Sequence, residues 1–271
     1  MINYFQIQRL ASKKKMSEDI IEKDYFIELL LFYLSSDYSF RNISIFRGGT
    51  SLKKIYFPDY RFSEDLDFIV REKENLADLE ETLDEILIKI SNDFPFKPSK
   101  ISRIKDDRLQ AFIKYDIVNE IKANKELKID IIRDTFIPSY AEKKIIFTYP
   151  DFQMKKNKLN VYDLEAVAAD KISRIMDVDK EARDIYDLFY LLNLDFLEID
   201  KLKIELKKRF GFTLNFRDLI KKVNSETYRQ TWKVRLEQQV PDLPPYEIAS
   251  RELEELIKNK LIDKSQHCKQ D

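Results

Sequence analysis

The chain has almost none of the residues that build disulfide frameworks and zinc sites. Its 271 residues include one cysteine and one histidine, which are adjacent near the end as His267 and Cys268. A single cysteine cannot form an internal disulfide, and these two residues cannot supply the ligand set of an ordinary zinc site. The absences exclude a small domain held by disulfides or zinc, and we expect a protein of the reducing cytoplasm.

Two further absences concern charge and long apolar runs. Lysine and arginine total 48 against 49 aspartates and glutamates, which argues against a protein that coats nucleic acid over its whole surface. The longest apolar run, YFIELLLFYLSS at 25–36, contains Glu28 and is too short to span a bilayer. The first residues lack the apolar core and cleavage site of a secretory signal. We therefore expect neither export nor membrane insertion.

The first half of the sequence alternates helical and strand-like patterns. Apolar spacing predicts a helix over 17–36 behind Ser17 and an amphipathic helix over 75–91. Short β-rich runs, NISIFRGG and LDFIV, flank a helix-compatible TSLKKIYF with Thr50 or Ser51 as its cap. Alternation between 96 and 134 predicts a hairpin and a third strand beside it.

Helical periodicity dominates after FTYP at 147–150. Asp163 is placed to cap LEAVAADKISRIM, KEARDIYDLFYLLN follows as a second helix, and Pro244 and Pro245 precede another. We therefore predict a mixed α+β fold in two domains. The domain over 1–150 has a mixed sheet with flanking helices, and the domain over 151–271 is helical.

The acids of EDLDF suggest a metal site. Residues i and i+2 of a strand point to one face, so Asp65 and Asp67 project together with Cα atoms roughly 7 Å apart. Two carboxylates so close require a proton or a cation between them, and oxygen ligands suit Mg²⁺ or Mn²⁺. Asp130 in LKIDII is a candidate third metal ligand from a later strand. The alternative is a solvated pair on an edge strand.

The paired glycines precede these acids, although the chain has three glycines in all. Between a strand and a helix, Gly48 and Gly49 would let backbone N–H groups approach phosphate oxygens. Thr50 and Lys53 would add hydroxyl and cationic contacts to the same phosphates. The alternative is an ordinary turn that ends a strand.

This arrangement resembles the nucleotidyltransferase superfamily of the DNA polymerase β type. More narrowly, FRGGTSLKKIY, RFSEDLDF, LKIDI and AADKISRIMDVDKEARDIYDLFYLL resemble the AbiEii/AbiGii toxins of type IV toxin–antitoxin and phage-defence systems. The similarity extends over nearly the whole chain. It implies a nucleotidyltransferase that uses an NTP and a divalent metal, with a cognate antitoxin as partner.

The resemblance also implies residue roles. Gly48, Gly49 and Thr50 would hold the nucleotide phosphates, and Ser63 would orient the triphosphate and the metal. In the helical half, Lys171 would bind phosphate and Asp184 would be a further essential acid. Alternatives without the resemblance are a solvated helix face for Lys171 with Arg174, and local helix pairing for Asp184.

The acceptor is predicted from the helical half. Residues 201–235 contain eleven lysines and arginines against three acids, interleaved with Phe210, Phe212, Tyr228 and Trp232. Such a segment can bind an RNA backbone with stacking contacts, or it can be a solvated basic face. We expect transfer of a nucleoside monophosphate to RNA, at the tRNA acceptor end, which blocks translation. The alternatives are nucleotidyl or phosphoryl transfer to a small molecule or protein hydroxyl, and a non-catalytic nucleotide-binding module.

Overall fold

The computed structural model describes residues 1–177, 181–211 and 214–262. It divides the chain into two compact units, unit 1 (Met1–Val161) and unit 2 (Tyr162–Asp271). The boundary lies beyond residue 150 because a late strand pairs with a strand of unit 1.

Unit 1 contains the sheet and the first five α-helices of the described residues. The helices are α1 (Tyr4–Lys14), α2 (Glu18–Ser36), α3 (Tyr38–Ile43), α4 (Gly48–Ser51) and α5 (Leu76–Asp93), with a π-helix at Leu52–Tyr56. The strands are β1 (Ile45–Arg47), β2 (Asp65–Arg71), β3 (Ser99–Lys105), β4 (Arg108–Lys114), β5 (Glu126–Asp134), β6 (Tyr140–Lys144) and β7 (Lys158–Tyr162).

The strands form one mixed sheet in the order β3-β4-β5-β2-β1-β7-β6. The β1–β2, β3–β4 and β4–β5 pairs are antiparallel, whereas β1–β7 and β2–β5 are parallel. The predicted hairpin, its third strand and the mixed sheet are confirmed. The strands β6 and β7 were missed, because five residues each are too few to show a clear alternation.

Two predicted helices of unit 1 are confirmed by their burial. The helix α5 buries six aliphatic side chains, at the positions that its apolar spacing predicts: Leu76, Leu79, Leu83, Ile86, Leu87 and Ile90. The helix α2 begins after Ser17 as predicted. It is buried on most sides, and its Glu28 carboxylate accepts hydrogen bonds from Lys54 Nζ and from the backbone N–H of Thr148 and Tyr149. These bonds fix α2 against the π-helix that follows the glycines.

The predicted caps of the helix after the glycines are wrong. The helix begins at Gly48, and Arg47 is the residue in the N-cap position. Thr50 Oγ1 instead donates to the backbone oxygen of Asp65 at 2.5 Å, and Ser51 Oγ donates to Gly48 O at 2.7 Å. The Thr50 bond connects the start of α4 directly to β2, which places the glycines beside the acids.

Unit 2 is helical in its described residues after the end of β7. Its helices are α6 (Leu164–Met176), α7 (Ala182–Leu192), α8 (Ile199–Phe210), α9 (Phe216–Val223), α10 (Glu226–Leu236) and α11 (Tyr246–Leu256), followed by a π-helix at Ile257–Leu261. The predicted helices behind Asp163 and behind Pro245 are confirmed. The helix α6 packs against α7 and α8, and α7 packs against α10 and α11.

Across the described residues, no helix combines the length and the apolar character that crossing a bilayer requires.

Candidate active site

Strand pairing places the three predicted acids on one side of the sheet. Asp65 and Asp67 lie on one face of β2, and Asp67 is directly opposite Asp130 of the parallel neighbour β5. Side chains at paired positions of adjacent strands share a face, so all three carboxylates belong to one side of the sheet, called here the carboxylate face. Because β2 lies between β5 and β1, the alternative of a solvated edge strand is excluded.

Gly48 lies against the second acid. Arg47 at the end of β1 is paired with Asp67, and Gly48 follows with a φ of +78°. A Cβ added at Gly48 would collide with Oδ2 of Asp67 and lie 3.2 Å from its Cβ. Position 48 therefore needs glycine for two reasons, the left-handed backbone and the close approach of the carboxylate.

Ser63 and Thr50 border the same acids. Ser63 is buried two residues before Asp65, and its Oγ has no hydrogen-bond partner in the described part of the chain. Buried hydroxyls are normally paired, so an unpaired one beside two carboxylates is a candidate ligand contact. The Thr50 hydroxyl is also buried and donates to the Asp65 backbone. The phosphate contacts predicted for Ser63, Thr50 and Gly49 remain predictions.

Asp130 is surrounded by basic and amide side chains. Arg108 donates to both of its oxygens, with Nε at 2.6 Å from Oδ1, while Lys128 Nζ lies 2.6 Å and Gln110 Nε2 3.3 Å from Oδ2. Burial disfavours the charged carboxylate, but the hydrogen bonds from Arg108 and Lys128 outweigh it and lower the pKa of Asp130. Asp130 is therefore ionised and directed at two cations.

Lys53 contacts the turn that follows its helix. Its ammonium is buried and donates to the backbone oxygens of Pro58 at 3.2 Å and Tyr60 at 2.8 Å, over the ring of Phe62. Burial lowers the pKa of Lys53 to about 8. The nucleotide contact predicted for Lys53 stays a prediction, while the observed contacts support the turn that leads to Ser63.

In unit 2, Lys171 and Asp184 form one buried cluster. Lys171 Nζ lies 2.7 Å from Asp184 Oδ1 and 2.7 Å from Asp187 Oδ2, and Arg174 Nε lies 2.8 Å from Asp184 Oδ2. The Lys171 side chain is only 7% exposed, which excludes the alternative of a solvated helix face. Two elements, α6 and α7, thus meet at a charge cluster that contains both predicted residues.

The acids of unit 1 fit a hard divalent cation in part. Asp65 and Asp67 offer oxygen donors on one face, with the Gly48 backbone beside them, which suits Mg²⁺ or Mn²⁺. The described residues contain no group of three or more histidine, cysteine or acidic side chains gathered as metal ligands. Asp130 is paired with Arg108 instead, so its role as third ligand remains a prediction.

Sequence reasoning missed the basic partners of these acids. Arg108 and Lys128 were not singled out, although Lys128 lies two residues before Asp130 on one strand and so shares its face. Asp187, the second acid that contacts Lys171, was not predicted as a site residue. The alternation in ELKIDII was a usable signal for Lys128, whereas the pairing with Arg108 depends on β4 lying beside β5.

The aromatic side chains of the basic segment are largely internal. Tyr228 and Trp232 are buried, and Trp232 packs against Tyr246 and donates from Nε1 to Pro244 O at 2.9 Å. The stacking of bases on Tyr228 and Trp232 is therefore wrong, because both rings belong to the core of unit 2. Phe212 lies outside the described residues.

Comparisons with known proteins agree with the resemblance seen in the sequence motifs. A family model described as nucleotidyl transferase AbiEii toxin, type IV TA system, matches residues 29–259. Among curated proteins, none matches the sequence. A solved structure, MenT4, a nucleotidyltransferase toxin from Mycobacterium tuberculosis H37Rv, superposes with a TM-score of 0.67 at 19% identity, covering 96% of this chain and 90% of that chain.

At this identity the structural match establishes a shared fold, and the family model covers most of the chain. The resemblance seen in the glycine, Asp-x-Asp and helical motifs is thereby confirmed. The chain belongs to the AbiEii family and is a nucleotidyltransferase toxin of a type IV toxin–antitoxin system.

Proposed function

We propose that this nucleotidyltransferase transfers a nucleoside monophosphate from an NTP to RNA, at the acceptor end of tRNA, and thereby blocks translation. The observation that carries the reaction type is the register of β1, β2 and β5. It sets the Gly48 turn on one side of Asp67 and Asp130 on the other. The RNA acceptor is supported by the basic segment 201–235 and by the family's action as toxins.

The proposed reaction is a displacement at the α-phosphorus of the NTP. A terminal ribose hydroxyl oxygen forms a bond to that phosphorus, the bond to the bridging oxygen of the β-phosphate breaks, and pyrophosphate leaves. The hydroxyl proton passes to solvent. Backbone N–H groups at Gly48 and Gly49, with the hydroxyls of Thr50 and Ser63, would orient the triphosphate for in-line attack.

The metal would be held by Asp65 and Asp67. When bound, Mg²⁺ or Mn²⁺ would supply positive charge that offsets the negative charge of the phosphate oxygens and lowers the pKa of the attacking hydroxyl. Asp130 either adds a ligand or keeps Arg108 and Lys128 in place beside Asp67. From the resemblance, Lys171 is proposed to bind phosphate and Asp184 to support it. An NTP and a cognate antitoxin are the partners that the family implies.

The direct test incubates the protein with each of the four α-labelled NTPs, Mg²⁺ and total RNA. We expect label on tRNA from at least one NTP, and loss of at least 100-fold in rate for Asp65→Asn and Asp67→Asn, since each removes a carboxylate at the reacting centre. Asp134→Asn is the matched control, because Asp134 lies on the same face at the exposed end of β5.

The same assay separates the alternatives. If the label is found on a protein or a small molecule, that molecule and not RNA is the acceptor. If label is transferred from γ-labelled but not from α-labelled NTP, the protein is a phosphotransferase. Growth inhibition that survives loss of both Asp65 and Asp67 would indicate a non-catalytic module. Asp130→Asn distinguishes its two roles: a shifted Mg²⁺ requirement indicates a ligand, and an unchanged one indicates support of Arg108.

A further inference from the structure

The carboxylate face continues across the hairpin formed by β3 and β4. In the register, Asp130 of β5 is opposite Gln110 of β4, and Gln110 is opposite Arg103 of β3. Arg103 Nε donates to Gln110 Oε1 at 2.8 Å, and Gln110 contacts Asp130. One row of paired side chains therefore leads from Asp67 outward to the sheet edge.

This part of the face is basic. Arg103 and Lys105 of β3, Arg108 of β4 and Lys128 of β5 all occupy positions that share the face of Asp130. Arg103 and Lys105 are exposed, the Arg108 side chain is 49% exposed and that of Lys128 is 27% exposed. The four residues are called here the hairpin patch, and two of them, Arg108 and Lys128, contact the buried Asp130.

The opposite face of the hairpin has a structural partner. Lys100 of β3 donates to Glu80 O of α5 at 2.9 Å and lies 2.9 Å from Asp84. Leu109 and Ile113 of β4 are buried on that side. The helix α5 therefore stabilises the hairpin from one side, and the hairpin patch is not required for that packing.

Apolar groups accompany the cations. Phe112 of β4 is half-buried with the Arg103 guanidinium 5.9 Å from its ring centroid, and Ile101, opposite Phe112 on β3, is 69% exposed. Guanidinium groups and aromatic rings side by side are suited to stack on unpaired bases while cations contact the phosphates. A protein acceptor would not need such a combination of cations and stacking groups.

The position of the hairpin patch favours binding of the acceptor over binding of the NTP. The strand β2 lies between β1, which carries the glycine turn, and β5, which leads to the hairpin. An NTP held at Gly48 would therefore approach the acids from one side, and the hairpin patch lies on the other. From β2 to β3 there are three strand spacings, about 14 Å in all, which gives room for several contacts with a strand.

We propose that the hairpin patch binds the phosphates and unpaired bases of the acceptor RNA next to Asp67, which rests on the proposed transfer to RNA. Arg103 and Lys105 are binding residues, and Phe112 is a stacking surface. The RNA end is thereby directed across Arg108 and Lys128 toward the carboxylates.

The test compares Arg103→Gln/Lys105→Gln with Lys73→Gln/Lys89→Gln, which removes the same charge from unit 1 outside the hairpin patch, where both side chains are more than half exposed. Binding of fluorescently labelled total tRNA is measured by anisotropy over a range of salt concentrations. Binding of α-labelled NTP is measured separately, and circular dichroism verifies that each variant is folded.

We expect the hairpin variant to bind tRNA about tenfold more weakly, with a salt slope smaller by about 1.4, since each single-strand phosphate contact contributes about 0.7. NTP binding should be unchanged, and the Lys73/Lys89 variant should bind tRNA as the wild type does. Wild-type tRNA binding by the hairpin variant, or equal losses in both variants, would overturn the assignment.

The two proposals fail separately. If the wild type transfers no label to RNA but the hairpin variant loses tRNA binding, the proposed reaction fails and the RNA surface stands. If label reaches tRNA and the hairpin variant still binds tRNA normally, the reaction stands and the surface is refuted.

Discussion

At the scale of single residues, the site depends on a missing side chain. Gly48 combines a φ of +78° with a position where a Cβ would meet the Asp67 carboxylate. Gly211 has nearly the same backbone, with a φ of +72°, but no atom of the described residues lies within 4 Å of its added Cβ. Substitution of Gly211 therefore tests the effect of the left-handed backbone alone, whereas substitution of Gly48 also tests the lack of space for a side chain.

We predict that Gly48→Ala abolishes nucleotide transfer while Gly211→Ala does not. Both variants pay about 1–2 kcal/mol for alanine in the left-handed region, but only Gly48→Ala must displace Asp67 as well. Denaturant unfolding and the labelled-nucleotide assay measure the two effects. Equal loss of activity in both variants would show that backbone conformation alone matters.

At the scale of elements, the π-helix that follows the glycines contains two buried lysines with different partners. Lys54 is fully buried between Asp24 and Glu28 of α2, at 2.8 and 2.9 Å. Lys53 has only backbone oxygens of the 58–60 turn as hydrogen-bond acceptors within the described residues. Burial lowers the pKa of a lysine, but the carboxylates of Asp24 and Glu28 outweigh this effect for Lys54 and raise its pKa. For Lys53 burial is the larger effect, and its pKa falls to about 8.

Stability should therefore rise with pH through the titration of Lys53. Between its folded pKa of about 8 and the ordinary value of 10.5, the unfolded chain binds the proton that the folded chain has released. Over that pH range the free energy of unfolding increases by up to about 3 kcal/mol. Urea unfolding of wild type and Lys53→Met from about pH 7 to about pH 10, a range that begins about one unit below the folded pKa of Lys53, measures the difference.

In that comparison the wild type should gain free energy of unfolding relative to Lys53→Met as pH increases. A constant difference between the two proteins would show that Lys53 stays charged across the range. Lys89→Met, which removes a half-exposed lysine of α5, is the control for general lysine titration.

At the scale of the whole molecule, the chain consists of two compact units, each with its own buried charge cluster. In unit 1, Lys54 lies between the acids of α2, and in unit 2, Lys171 lies between Asp184 and Asp187. Removing the cation of such a cluster leaves buried carboxylates without compensation, which costs about 3–5 kcal/mol. The cost should fall on the unit that contains the cluster.

We predict that Lys171→Met increases hydrogen exchange in α6 and α7 and leaves α2 and β5 protected, whereas Lys54→Met does the reverse. Exchange followed by mass spectrometry of peptides assigns the effect to each unit. An increase throughout both units from either variant would show that they unfold as one cooperative unit.

The sequence alone determined the features that depend on local geometry. Alternate positions of a strand share a face whatever the rest of the fold, so Asp65 and Asp67 could be assigned to one site from their spacing. The helix α5 was predictable down to its buried residues, because helical periodicity is also a property of the local backbone. The family resemblance rests on the same local motifs.

Only the tertiary structure decided which side chains meet across elements. The order of strands placed Asp130 opposite Asp67 and brought Arg108 to it from β4, a pairing between residues far apart in sequence. Packing turned Lys53 toward backbone oxygens, and it buried Tyr228 and Trp232, which composition alone had presented as surface aromatics. Which strands pair, and which residues of other elements a side chain packs against, depend on the free energy of the whole fold, and residue spacing within one element does not specify them.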